Sequence, residues 1–102
     1  MANPFTKELQ FIYLVDDLVR LNTQGGPPSR YNELLNDIEK LYIQGLNFNN
    51  PRDVEILHDL FTMLRRVHRS GDRKVDEVNI AVIDLLRRIL YVQPFNNSDG
   101  RP

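Results

Sequence analysis

Apolar side chains recur at three- and four-residue steps along four stretches of the chain, and short polar segments rich in Pro, Gly, Asn and Ser separate them. The first stretch, "NPFTKELQFIYLVDDLVRLN", has Asn3 placed to cap and Pro4 at the first helical position, then an apolar stripe of Leu9, Ile12, Val15, Leu18 and Val19. Its spacing predicts a helix over 4–22, ended by "TQGGPPS". Ser29 is the expected cap of a second helix over 30–44, which lines up Tyr31, Leu34, Leu35, Ile38, Leu41 and Tyr42 and leaves Gly45 for the left-handed position after its end.

The link "LNFNN" carries Phe48, expected to dip into the core. Asn50 and Pro51 then repeat the cap-and-proline start and open a helix over 51–69 with Val54, Leu57, Leu60, Phe61, Leu64 and Val67 on one arc. "SG" breaks it, and Asp72 is placed to cap a fourth helix with Val75, Val78, Val82, Leu85, Leu86 and Ile89 inward, up to Pro94. The β-branched run "VNIAV" could pair as a strand, but the residues after it continue the helical period. The expected fold is all-α: a four-helix antiparallel bundle with short connections, one domain over 1–93, followed by a disordered polar tail over 94–102.

One excess goes beyond a single buried stripe per helix. The first helix adds Phe11, Tyr13, Leu14 and Leu21 to its main stripe, and the fourth adds Ile80, Ile83 and Tyr91. A helix apolar around most of its girth should not face water over a wide arc. Either the first helix is the central element of a monomeric bundle, or these seven residues are the candidate contact surface of a homodimer.

Composition narrows the class of function. Thirteen basic and fourteen acidic side chains leave a formal charge of −1, so any polyanion site must be local and not a general field. The absence of cysteine rules out disulfides and thiolate metal sites and is compatible with a reducing compartment. No apolar run approaches the ~20 residues of a membrane span, and "MANPFTKELQ" lacks the apolar centre of a signal peptide, so an intracellular, cytoplasmic protein without membrane contact is expected. The sequon at Asn96 carries no weight without secretion.

No constellation of side chains suggests catalysis, a cofactor or a metal. His58 and His68 lie ten residues apart on one expected helix, about 15 Å, too far to share an ion. Ser29, Ser70 and Ser98 fall in a cap, a turn and the tail, and none has the setting of an activated nucleophile. Asp16 and Asp17 point about 100° apart, the first toward Arg20 at i+4. Gly25 and Gly26 lack the lysine of a phosphate-binding loop and read as a turn.

The remaining feature is "RRVHRSGDRK", which holds Arg65, Arg66, Arg69, Arg73 and Lys74. The three arginines of the third helix find no acid at i−3 or i−4, whereas Arg87 and Arg88 both have Asp84 within reach. Two structural roles compete with a functional one. Cations are favoured at a helix C-terminus, and a tight turn would bring Asp76 and Glu77 alongside Arg65 and Arg66.

Two functional expectations follow. The first is a non-enzymatic regulatory or adaptor protein that acts through protein–protein contacts as a homodimer, of the kind found among viral and phage accessory proteins. The second is a binder of nucleic acid, duplex RNA above all, that uses the basic cluster twice across a dimer. The second is an analogy of architecture with helical viral suppressors of RNA silencing, and no motif carries it.

Overall fold

Four helices hold the regular structure in a computed structural model of the protein, which describes residues 6–67 and 71–91. They are α1 (Lys7–Gln24), α2 (Pro28–Gln44), α3 (Pro51–Val67) and α4 (Arg73–Tyr91), and no strand occurs among the described residues. The expected cap Asn3 and the tail over 94–102 lie outside them.

The helix ends follow from local chemistry. Thr6, not Asn3, caps α1: its Oγ1 accepts the Leu9 amide at 3.1 Å. A threonine hydroxyl three residues before an orphan amide satisfies that donor directly. Ser29 is likewise inside α2 rather than at its cap, because Pro27 and Pro28 pre-set the backbone for the first turn and α2 begins without a side-chain cap. The other two starts match their spacing: Asn50 Oδ1 accepts the Arg52 amide at 2.9 Å, and Asp72 Oδ1 accepts those of Lys74 and Val75 at 2.9 and 3.2 Å. Gly25 (φ 85°) and Gly45 (φ 100°) end α1 and α2 in the region that favours glycine, each returning its amide to the helix before it.

α1 packs on α2 and α3, and α4 packs on the same two helices, so the order around the bundle is α1, α2, α4, α3. Each sequential hairpin occupies one side, and the α2–α3 link crosses a diagonal. Two contacts hold that link: Phe48 is buried with its ring edge-on to Phe11 at 5.9 Å, and the Asn47 amide donates to Glu8 at 2.7 Å. At the opposite end the Tyr31 hydroxyl donates to the Leu21 carbonyl at 3.0 Å and closes the α1–α2 turn.

The core is built from the expected stripes, with Val15, Leu18, Leu34, Ile38, Leu57, Leu64, Val82 and Leu86 almost wholly enclosed, and it also takes in Phe11 from the apolar excess of α1. Burial of such side chains contributes about 1.5–3 kcal/mol each before the entropic cost of ordering them. The core also encloses one polar residue, Asn79. Its Nδ2 donates to Asn22 Oδ1 at 2.7 Å, and Asn22 Nδ2 donates back to Asn79 Oδ1 at 2.9 Å and to the Leu18 carbonyl at 2.9 Å. This reciprocal amide pair joins α1 to α4 across the second diagonal.

Removing one carboxamide takes both cross-helix hydrogen bonds from its partner in a largely apolar setting, which costs ~1–3 kcal/mol. Asn22→Ala and Asn79→Ala should each destabilise the fold by about that much. The double variant should cost less than the two combined, with a coupling of about 1 kcal/mol in a urea-denaturation cycle. A second expectation concerns Tyr31, whose phenol is raised above its ordinary value first by burial and then by the Asp72 carboxylate. The folded state therefore favours the protonated phenol. Its contribution is complete below the unfolded-state value of about 10 and is lost as pH rises through the higher folded-state value. Tyr31→Phe should lose ~1 kcal/mol at neutral pH with the Leu21 hydrogen bond, and its stability should decline less steeply above pH ~10 than that of the parent.

Candidate interaction surfaces

Among the described residues, two cations of the basic segment, Arg65 and Arg73, are engaged within the chain. Arg65 lies over the ring of Phe61, its guanidinium carbon 5.5 Å from the centroid, at the geometry of a cation–π contact. Glu77, expected beside Arg65 and Arg66, pairs instead with Arg73 at 3.5 Å. Acid and base four residues apart on one helix meet without ordering a second element. Arg66 and Lys74 are exposed, and Asp72 and Asp76 stand among these cations. Arg69 lies outside the described residues, as do His68 and Ser70.

Beside the basic segment, on the α3–α4 face, is an aromatic group that the spacing did not reveal. His58 Nε2 is 3.0 Å from the Tyr91 hydroxyl, and the rings of His58, Phe61 and Tyr91 meet edge to face with centroids 6.0–6.3 Å apart. A simple hairpin register would set Tyr91 opposite residue 51. Side chains lean toward the N-terminus of their own helix, so in an antiparallel pair Tyr91 and His58 reach toward one another and close that offset. The readable signal was Phe61, already assigned to the core, with His58 three residues before it.

The seven residues of apolar excess divide three ways. Phe11 and Ile83 belong to this chain's own core and are unavailable to a second molecule; α1 is wedged between α2 and α3, which uses more of its girth than one stripe. Leu14 and Leu21 are half-buried against the core, and Tyr13 is 54% exposed. Ile80 and Tyr91 are 49% and 57% exposed on the outward side of α4. Since α1 and α4 occupy opposite corners, these five do not form one patch.

Tyr13 and Leu14 line a groove between α1 and α2 of about 430 Å³, together with Gln10, Asp37, Lys40, Leu41 and Gln44. The antiparallel hairpin sets the first half of α1 beside the second half of α2, which brings these side chains together. Leu14 and Leu41 are apolar wall, Tyr13 offers an exposed ring, and Asp37 and Lys40 place opposite charges one turn apart on the rim. Sequence spacing does not reveal the α2 members, because three of them, Asp37, Lys40 and Gln44, are polar and stand outside the apolar stripe of α2. Only the surplus on α1 marked the site.

On the outward side of α4, Asp84 and Arg87 lie between Ile80 and Tyr91 on the same face. The expected pairing of Arg87 and Arg88 with Asp84 does not form, and Asp37, Lys40, Asp84 and Arg87 hold no ion pair among the described residues. Exposed pairs of this spacing gain ~0.3–0.5 kcal/mol at most, which side-chain entropy offsets. Asp16 and Arg20 do pair as expected, at 3.0 Å.

No group of three His, Asp or Glu side chains is arranged to hold a metal ion among the described residues, and none of the four helices is long and apolar enough to cross a membrane. The chain matches no protein family, no curated protein and no solved structure.

The aromatic group makes a direct prediction. Tyr91→Ala removes two edge-to-face contacts and a hydrogen bond, and should cost ~1–2 kcal/mol in urea unfolding, while Tyr91→Phe keeps the ring contacts and should cost well under half of that.

Proposed function

We propose that the protein is a non-enzymatic helical adaptor that binds another protein chain by taking one of its helices into the α1–α2 groove. The observation that carries this reading is the groove itself, an apolar trough with an exposed tyrosine and a rim of opposite charges. Its volume of about 430 Å³ falls within the ~300–1,000 Å³ of typical binding sites. An amphipathic helix meets such a trough with anchors at i, i+3 and i+4, and its flanking polar side chains meet the rim. Tyrosine is the residue type expected at the centre of such a contact, since its ring supplies area at low entropic cost and its hydroxyl keeps a polar handle.

The basic segment supports the same class of partner better than it supports a phosphate backbone. Between residues 65 and 77 the described cations Arg65, Arg66, Arg73 and Lys74 are interspersed with Asp72, Asp76 and Glu77, and Arg73 is already paired. A duplex laid along this edge would meet three carboxylates beside the four described cations, which counters the release of counterions that drives such binding. A protein surface can match a mixed pattern of this kind.

A photo-cross-linking residue placed at Tyr13 tests the groove in cells. A discrete adduct from position 13, with none from the same probe at the exposed Glu39 on the far side of α2, is the expected result. No adduct, or equal adducts from both positions, removes the groove as a binding site.

A further inference from the structure

We infer that the helix taken into the groove is α4 of a second copy of this chain, docked antiparallel to α2 in a head-to-tail contact. The inference rests on the groove reading above and adds the identity of the occupant.

Four charges set the orientation of the contact. Asp37 and Lys40 stand three residues apart on the groove rim, Asp84 and Arg87 stand three residues apart on the outward side of α4, and none of the four has an ionic partner among the described residues. The two pairs share one spacing, about 4.5 Å along a helix. Laid antiparallel, α4 of one copy sets Arg87 against Asp37 and Asp84 against Lys40 of the next. Laid parallel, it sets acid against acid and base against base, which costs free energy twice. The charges therefore select one orientation.

The apolar groups then fall into place. With Asp84 at Lys40, Ile80 lies one turn further toward the C-terminal end of α2, where Tyr13, Leu14 and Leu41 line the groove. Tyr91 lies about 16 Å from Ile80 along α4, at the end of the groove where α1 presents the half-buried Leu21. Each exposed apolar side chain of α4 thus meets an incompletely covered apolar side chain of α1 or α2.

The positions of the two surfaces set the symmetry. The groove lies between α1 and α2, and the outward side of α4 faces away from the core at another corner. Two copies cannot cover both surfaces of each other in this way, so a dimer still presents one free groove and one free α4. Heterologous contacts of this type continue into a ring or a chain.

Sedimentation velocity on the full chain tests the proposal through exposed residues, whose replacement leaves the core intact. The parent mass should rise with concentration past that of a dimer. Lys40→Glu on the groove and Ile80→Asp on α4 should each weaken association by at least roughly tenfold, the effect of one like-charge or buried-charge contact. An equimolar mixture of these two variants should stop at a dimer, because one intact groove and one intact α4 remain. Lys40→Glu combined with Asp84→Lys in one chain should restore association. A parent that stays monomeric overturns the inference. So does a dimer indifferent to Lys40→Glu, or a variant mixture that fails to associate. If the Tyr13 probe then yields an adduct whose added mass is not that of this chain, the groove reading survives and the second copy does not.

Discussion

The carboxamides of Asn22 and Asn79 meet across the diagonal between α1 and α4, and each donates to the other at 2.7–2.9 Å. Against a core otherwise made of Leu, Ile, Val, Phe and Tyr31, the buried Asn79 amide has few ways to be satisfied. Sliding α1 past α4 by one residue would break both of these cross-helix hydrogen bonds, at ~1–3 kcal/mol, in a fold whose total stability is on the order of 5–15 kcal/mol. An apolar contact at the same place would tolerate the slip. The pair therefore acts less as a source of stability than as a statement of register, as single buried polar residues do in helical assemblies. With α1 and α4 held on one diagonal, α2 and α3 must take the other, and every outward face follows from that arrangement.

The cost of this order falls on the α2–α3 link, which has to cross the bundle in six residues between Gln44 and Pro51. Phe48 makes the crossing favourable because its ring fills space against Phe11 that a peripheral loop would leave empty, and Glu8 satisfies the exposed Asn47 amide. The same crossing lets α1 lie against α3 as well as α2. Phe11 is consumed there, which explains why part of the apolar excess of α1 needs no second molecule.

Those two features mark what the sequence could and could not reveal. Helix number, most boundaries and nearly all of the core were legible because they depend on period and on caps, which are local: Asp72, Asn50 and Gly45 do what their spacing implies. The start of α1 was misplaced because two capping motifs overlap, and Thr6 offers a hydroxyl to an orphan amide where Asn3 offers only a favourable position. The order of helices around the bundle was not legible, since a diagonal and a peripheral α2–α3 link require the same residues. The groove was half legible for the same reason. Its α1 side stood out as an apolar surplus, but its α2 side consists of residues that become a site only once α1 lies beside them.

The helix order also decides what the surplus apolar surface can do. Had α1 and α4 been neighbours, Tyr13, Leu14, Leu21, Ile80 and Tyr91 would have formed one broad patch, and a two-fold dimer would have buried all of it in one event. On opposite corners they form two narrow surfaces, each too small for a stable contact of ~1,200–2,000 Å² through apolar area alone. Narrow surfaces gain specificity instead from where their charges stand. Asp37, Lys40, Asp84 and Arg87 are therefore more informative than the conspicuous run of arginines in the α3–α4 turn, because none of them forms an ion pair among the described residues. Charges that a fold leaves unmatched at equal spacing on two faces cost little in water and discriminate strongly at a contact, so a chain with a net charge of only −1 can still be selective about what it binds.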